Sequence, residues 1–217
     1  MSFENHCYDN FIKKNDIVYD IGAHVGEMAL NFLNKGAAKV LAFEPSKKNF
    51  IELKKNTEGL NVECYDVAFH DKQYECLTRF KDCRRDTSGD EEQHIKYVQL
   101  DNFIISNNLD LPQFVKIDIE GMEGIIYNNI ELLLTSSRPL IFTEFHVPAR
   151  GNTSQDYKDN PHWKYPDEGG YDFNNLKNHK YGFLDSNLSL FKDGDYNPSP
   201  GHFQRLFIPL EKIDKYI

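Results

Sequence analysis

The chain has 217 residues, of which 40% are hydrophobic and 27% charged, with a formal net charge of −9 and a mean hydropathy of −0.62. These values suit a single soluble domain and leave no apolar run long enough to span a membrane, while the acidic balance argues against a nucleic-acid partner, whose phosphates draw on Lys and Arg. Cys7, Cys64, Cys76 and Cys83 contain no C-x-x-C pair, so neither a zinc site nor a disulfide frame is indicated. The first residues lack the basic and apolar regions of a secretory leader, and a cytoplasmic protein of one domain over residues 1–217 is expected.

Ile17 to Ile21 is apolar apart from Asp20, as a strand buried on both faces would be. It runs into Gly22-Ala23-His24-Val25-Gly26. Val25, Met28, Ala29, Phe32 and Leu33 then follow helical spacing, with Gly36 as a stop. Val40-Leu41-Ala42-Phe43 reads as a second strand ending at Glu44, and Ser46 is placed to cap a helix that points Phe50 and Leu53 inward and closes at Asn56 and Gly59. A third strand covers Val62 to Val67. Two β-like runs, 74–80 and 95–100, flank a charged span and read as a hairpin appended to the sheet.

Phe114 to Ile119 is a fourth strand, followed after Gly121 by one helix that buries Ile125, Ile126, Ile130, Leu133 and Leu134. Leu140-Ile141-Phe142-Thr143 is a fifth, delivering Glu144 and His146 at its end. This order of strands and helices predicts a mostly parallel α/β sheet wound from its middle, with a core over residues 17–146. Residues 147–170 are rich in Pro, Gly, Asn and Asp around Tyr157, Trp163 and Tyr165, a composition that suits a substrate-side loop. Leu188 to Phe191 and Phe203 to Ile208 are expected to pair antiparallel at the sheet edge. The cluster Arg79, Lys81, Arg84, Arg85 reads as a solvated hairpin tip.

Ligands of open α/β sheets bind outside the carboxyl ends of the strands, often over a turn that offers backbone N–H groups. The turn here is Asp-x-Gly-x-x-x-Gly, without the middle glycine that lets a pyrophosphate approach. Asp20 at its mouth would repel phosphate and attract an ammonium or sulfonium group. That pairing points to S-adenosylmethionine, with Asp20, Gly22, Ala23 and Gly26 shaping the cofactor turn and Glu44 accepting from the ribose hydroxyls. Asp66 and Val67, at the end of the third strand, are placed for the adenine ring. Asp118 and Glu120 share a face if their strand continues, and two carboxylates together imply a cation between them or a retained proton. Glu144 and His146 repeat that spacing on the next strand. Asp118, Glu120, Glu144 and His146 thus form one constellation, suited to general-base chemistry by Glu144 or His146. The same four are also a donor set for Mg²⁺ or Mn²⁺, although the sequence does not require a metal.

Asp20-Ile21-Gly22-Ala23-His24-Val25-Gly26, Phe43-Glu44-Pro45, Leu100-Asp101, Lys116-Ile117-Asp118-Ile119-Glu120-Gly121-Met122-Glu123 and Arg138-Pro139 through Glu144-Phe145-His146 together resemble the FkbM-type methyltransferases, class I S-adenosylmethionine enzymes. The resemblance implies a Rossmann-like sheet of seven strands, mostly parallel with the last antiparallel, and helices on both faces. It also implies O-methylation of a hydroxyl on a sugar, polyketide or similar metabolite. It matches Asp20, Gly22 and Gly26 to the cofactor turn, Glu44 to the ribose carboxylate, and Asp118 and Glu120 to the family's Lys-Ile-Asp-x-Glu-Gly signature. It does not extend past His146, so it leaves the acceptor and the oligomeric state open. An NAD-dependent oxidoreductase on the same sheet and a non-catalytic S-adenosylmethionine-binding protein are the alternatives. Nucleic-acid or protein methylation is disfavoured by the acidic charge.

Overall fold

The computed structural model describes residues 1–81, 84–85, 92–146, 173–192 and 202–217. The main sheet is built on β1 (Ile17–Ile21), which pairs in parallel with β2 (Lys39–Phe43) on one side and β8 (Phe114–Ile117) on the other. Beyond them lie β3 (Val62–Tyr65) and β9 (Leu140–His146), also parallel. β12 (His202–Pro209) pairs antiparallel with β9, β10 (Tyr181–Leu184) pairs antiparallel with β12, and the two-residue β11 (Leu190–Phe191) closes the edge. The order is β11-β10-β12-β9-β8-β1-β2-β3. Strand order therefore reverses between β1 and β8, where a crevice opens.

Both faces of this sheet are covered, so its central strands are apolar on both sides. Val18, Val40, Ala42, Phe114 and Phe142 face α1 (Phe3–Phe11), α2 (Glu27–Asn34) and α3 (Lys47–Asn56), and pack on Tyr8, Phe32 and Leu53. Tyr19, Ile21, Leu41, Phe43, Val115 and Ile117 face the other way, toward α4 (Leu100–Ser106), α5 (Glu123–Ile126) and α6 (Glu131–Thr135). The alternation fixes which polar strand residues meet. Asp20 is opposite Lys116 in register, and both lie on the α1 side, as do Asp118 and Glu144 two residues further along their rows.

The mostly parallel α/β architecture matches the expectation, and five of the strands lie where the sequence placed them. Several details differ. The described sheet has eight strands rather than seven, because β11 adds a short pair at the edge. The runs at 188–191 and 203–208 do not pair with each other, since β10 lies between them. The hairpin of β5 (Tyr74–Lys81) and β7 (Glu92–Val98) is not part of the main sheet. It forms a second one with β4 (Ala68–Phe69) and β6 (Arg84–Arg85), in the order β4-β7-β5-β6. Leu100 begins α4 instead of ending a strand.

The single helix expected after Gly121 is broken by a 3-10 turn over Tyr127–Asn129, and Ile125 is only half-buried, packed against Ile95, Tyr97 and Met122. Ser46 stands at the start of α3 but makes no side-chain cap. Its N–H is instead bound by Glu44 Oε1 at 2.8 Å. Helix α1 was not anticipated, and its Tyr8 stacks edge-on against Phe32 and Phe142. Tyr157, Trp163 and Tyr165 lie outside the described residues. Cys7 and Cys64 are free thiols, and among the described residues no helix is long and apolar enough to cross a membrane.

Candidate active site

At the carboxyl ends of β1, β2, β8 and β9 the chain forms a cleft of about 390 Å³, lined by Gly22, Ala23, His24, Glu44, Val67, Asp118, Glu120 and Glu144 among others. That size suits a small-molecule site. Its apolar wall comes from Ile21, Phe43, Phe69, Tyr97, Ile119 and Met122.

The glycine turn is shaped by close approach. A Cβ on Gly22 would lie 1.8 Å from the Asp118 carbonyl oxygen, and its φ is +84°, so only glycine fits. Four amides of the turn are already engaged, contrary to the expectation of a turn that offers its N–H groups. The N–H groups of Gly22 and Ala23 both donate to Phe43 O at 3.0 Å, and that of Gly26 donates to Ala23 O at 2.9 Å. The His24 N–H donates to Glu44 Oε2 at 2.9 Å. These bonds lock the turn to the end of β2, and what the turn offers a ligand is room and a fixed backbone. Gly26, with φ +92°, opens α2 and faces Leu53 instead of the cleft.

Glu44 is 6% exposed, and with the N–H groups of His24 and Ser46 on separate oxygens its plane is fixed. Burial pushes its carboxyl up to about 7, against the lowering effect of those N–H groups. Val67 faces the cleft beside Phe69. Asp66 does not: it is exposed, because the chain after β3 turns Val67 inward and its neighbour out.

The acidic half of the cleft is organised by a residue not singled out from the sequence. Lys116 is 3% exposed. Its ammonium lies 3.4 Å from Asp20 Oδ1 and 3.3 Å from Asp118 Oδ2, and donates to Gly22 O at 3.0 Å. Burial works to lower its pKa, but Asp20 and Asp118 outweigh burial and the net direction is upward. Asp20 is wholly buried, and burial raises its carboxyl against the pull of Lys116. Asp20 thus serves as the counter-charge that holds Lys116 against the turn, and does not itself line the cleft. A lysine inside an otherwise apolar strand, in register with a strand aspartate, was the available signal.

His146, at the end of β9, sits among carboxylates. Its Nδ1 is 2.9 Å from Glu123 Oε1. Its Nε2 lies 3.7 Å from Glu120 Oε2, 3.9 Å from Asp118 Oδ1 and 3.9 Å from Glu144 Oε1. Burial lowers the imidazole pKa, but the bond to Glu123 and the charges of Glu123, Glu120 and Asp118 carry it up to about 9. The predicted four-residue constellation is therefore brought together. Glu123, which the sequence reading left out of the site, is wholly buried and also accepts the Gly121 N–H at 2.9 Å. Glu120 enters the group through a left-handed turn, with φ +56° followed by +106° at Gly121. Glu144 Oε2 accepts from Gln204 of β12 at 3.0 Å. Glu4, from α1, closes the acidic wall, and Tyr8 Oη donates to its Oε1 at 3.0 Å. Nothing in the local sequence pointed to Glu4.

Residues 20–176 match the model of the methyltransferase FkbM domain. The hexuronic acid methyltransferase AglP of Haloferax volcanii is 26% identical over 146 residues, covering 62% of this chain and 58% of that protein. The chain thus matches less than two thirds of that relative's length. Among solved structures, methyltransferase FkbM from Methylobacillus flagellatus superposes with a TM-score of 0.51 at 15% identity, over 89% of this chain and 43% of the other. Precorrin-6y C5,15-methyltransferase from Geobacter metallireducens gives 0.50 at 12% identity, over 94% and 85%. The ribosomal protein L11 methylase from Lactobacillus delbrueckii gives 0.50 at 11%, over 95% and 77%. At those identities the structural likenesses establish a shared fold alone.

Proposed function

The chain belongs to the FkbM methyltransferase domain family, and from that premise we propose that it is an S-adenosylmethionine-dependent O-methyltransferase acting on a hydroxyl of a sugar or small metabolite. The observation that carries this reading is Glu44: a buried carboxylate, its plane fixed by two backbone N–H groups, in the same cleft as the glycine turn. Each of its oxygens has a second lone pair for one hydroxyl of a vicinal diol, as a ribose presents. Val67, Phe69 and Tyr97 give the apolar surface an adenine ring needs. The similarity to a hexuronic acid methyltransferase supports a carbohydrate acceptor.

Bound S-adenosylmethionine supplies an electrophilic methyl group on a positively charged sulfur. The chain's own part is to hold the reacting atoms in line and to take up one proton. Asp118, Glu120 and Glu144 give the cleft a wall that favours a cation. Glu144 lines that cleft, and we assign it the acceptor hydroxyl's proton. His146 stands behind it, with Nδ1 on Glu123, and at neutral pH already carries its proton. It therefore steadies charge instead of acting as the base. Positioning supplies most of the acceleration, about 7–11 kcal/mol being available from this source.

The test is labelled methyl transfer from S-adenosylmethionine to a panel of hydroxylated sugars and metabolites, alongside calorimetric binding of S-adenosylmethionine and NAD. Glu144→Gln is expected to lower kcat by about 10²–10⁴ with a much smaller loss of cofactor affinity, whereas Glu44→Gln is expected to act mainly by weakening cofactor binding. Binding of NAD without binding of S-adenosylmethionine would overturn the proposal.

A further inference from the structure

We propose that Asp118, Glu120 and His146 form a binding site for one hard divalent cation, of the Mg²⁺ or Mn²⁺ kind, on the acceptor side of the cleft. One carboxylate oxygen from each acid and one imidazole nitrogen all lie within 4.8 Å of one another. Two donors that each sit about 2.1 Å from a common ion are at most about 4.2 Å apart. His146 Nε2 is already within that limit of both Glu120 Oε2, at 3.7 Å, and Asp118 Oδ1, at 3.9 Å.

The second observation lies behind the imidazole. Glu123 is wholly buried and fixed by the Gly121 N–H, and it engages Nδ1 of His146 at 2.9 Å. That contact turns Nε2, and not Nδ1, toward the two acids, and the ion would take the place of the Nε2 proton, which is released to solvent on binding. A buried carboxylate holding the far nitrogen is how proteins orient a metal-binding histidine and raise its donor strength. The chemistry of the set selects the ion. The two carboxylates, with no thiolate, suit Mn²⁺ or Mg²⁺ better than a soft metal, and the imidazole favours Mn²⁺ of the two. Glu144 Oε1, 3.9 Å from Nε2, lies on the same side, where an ion would bring an acceptor's paired oxygens against it. Only that last role rests on the proposed methyl transfer; the binding of the ion does not.

The experiment is a titration of the full chain with Mn²⁺ alone, following free Mn²⁺ by its paramagnetic resonance signal, then displacing it with Mg²⁺. One saturable site is expected. Glu120→Gln and His146→Ala should each weaken it at least tenfold, and Glu123→Gln about 10- to 100-fold through the loosened ring. Glu52→Gln, a substitution on an exposed face, should leave it unchanged. Circular dichroism and urea midpoints check that each variant is folded. Binding only at millimolar Mn²⁺, or binding that none of the three site substitutions alters, would overturn the site. The two readings fail separately. Methyl transfer that chelator does not affect, with no Mn²⁺ bound, removes the ion and keeps the enzyme. Tight Mn²⁺ binding with no transfer to any acceptor does the reverse.

Discussion

Replacing Lys116 by Met tests whether the acidic half of the site is built on a buried charge or merely decorated by one. The Lys116 and Asp20 side chains are 4% and 0% exposed and 3.4 Å apart. Methionine keeps most of the volume and removes the ammonium. Asp118, 31% exposed, can turn to water, but Asp20 cannot. Leaving one member of a buried pair alone costs about 3–5 kcal/mol, and the bond to Gly22 O adds about 1 kcal/mol. A loss of about 4–6 kcal/mol would be a large part of the roughly 5–15 kcal/mol that holds a domain together.

The pH dependence follows from the same pair. Burial already raises the Asp20 carboxyl, and Lys116 opposes that rise. Without Lys116 the carboxyl climbs further, so its penalty is present above the raised pKa and fades as pH falls through it. Urea unfolding at pH 7.5 and pH 5 should therefore show a gap to the wild type that narrows in acid. Asp20→Asn combined with Lys116→Met should recover most of the loss. A single-variant loss under about 1 kcal/mol, the level of an exposed pair, would refute the reasoning, as would a double variant no more stable than the single.

Glu44→Gln should change the slope of stability with pH. Burial moves the Glu44 carboxyl from an ordinary 4.5 up to about 7, so the folded protein holds this proton more tightly than the unfolded chain. Its contribution therefore declines as pH rises from 4.5 to 7, by up to about 3 kcal/mol, and urea midpoints of wild type and variant should diverge across that window; parallel curves would count against it. Gly22→Ala, forced into Asp118 O at 1.8 Å with φ +84°, should cost about 3 kcal/mol or more. Gly59→Ala, with φ +74° and nothing within 4 Å, should cost only about 1 kcal/mol. Thermal melts of the two glycine variants would separate backbone collision from conformational strain.

The parallel half of the sheet was legible because strands buried on both faces are short apolar runs that end in a turn. β1 coincides with the predicted Ile17 to Ile21. β10 was not legible: Tyr181–Leu184 is four residues long and carries Gly182, where a Cβ would fall 2.7 Å from Phe191 O. The glycine that weakened the strand signal is there to let β11 approach. Helix α1 was hidden for another reason. Its stability comes from packing Cys7, Tyr8 and Phe11 on the sheet, while the segment itself is polar and short.

Within the site, the residues at strand ends could be found by position, and Asp118, Glu120, Glu144 and His146 do converge. Lys116 and Glu123 act from behind them, through contacts that only the strand register and the turn at Gly121 create. That the amides of Gly22, Ala23 and His24 are taken could not be read from composition, because it depends on where Phe43 O and Glu44 Oε2 point.

The acidic wall also bears on turnover. A sulfonium carries a positive charge that its sulfur loses when the methyl leaves, so the spent thioether is neutral at that atom. In the proposed transfer, whatever negative charge Asp118, Glu120 and Glu144 keep once an ion on the first two is counted would favour the charged reactant over the uncharged product. In the reaction proposed above, the ratio of the two affinities is set by this wall. Neutralising it would weaken the hold on fresh cofactor and leave that on spent cofactor nearly unchanged, so product inhibition, beyond the rate of transfer itself, becomes a property that these carboxylates control.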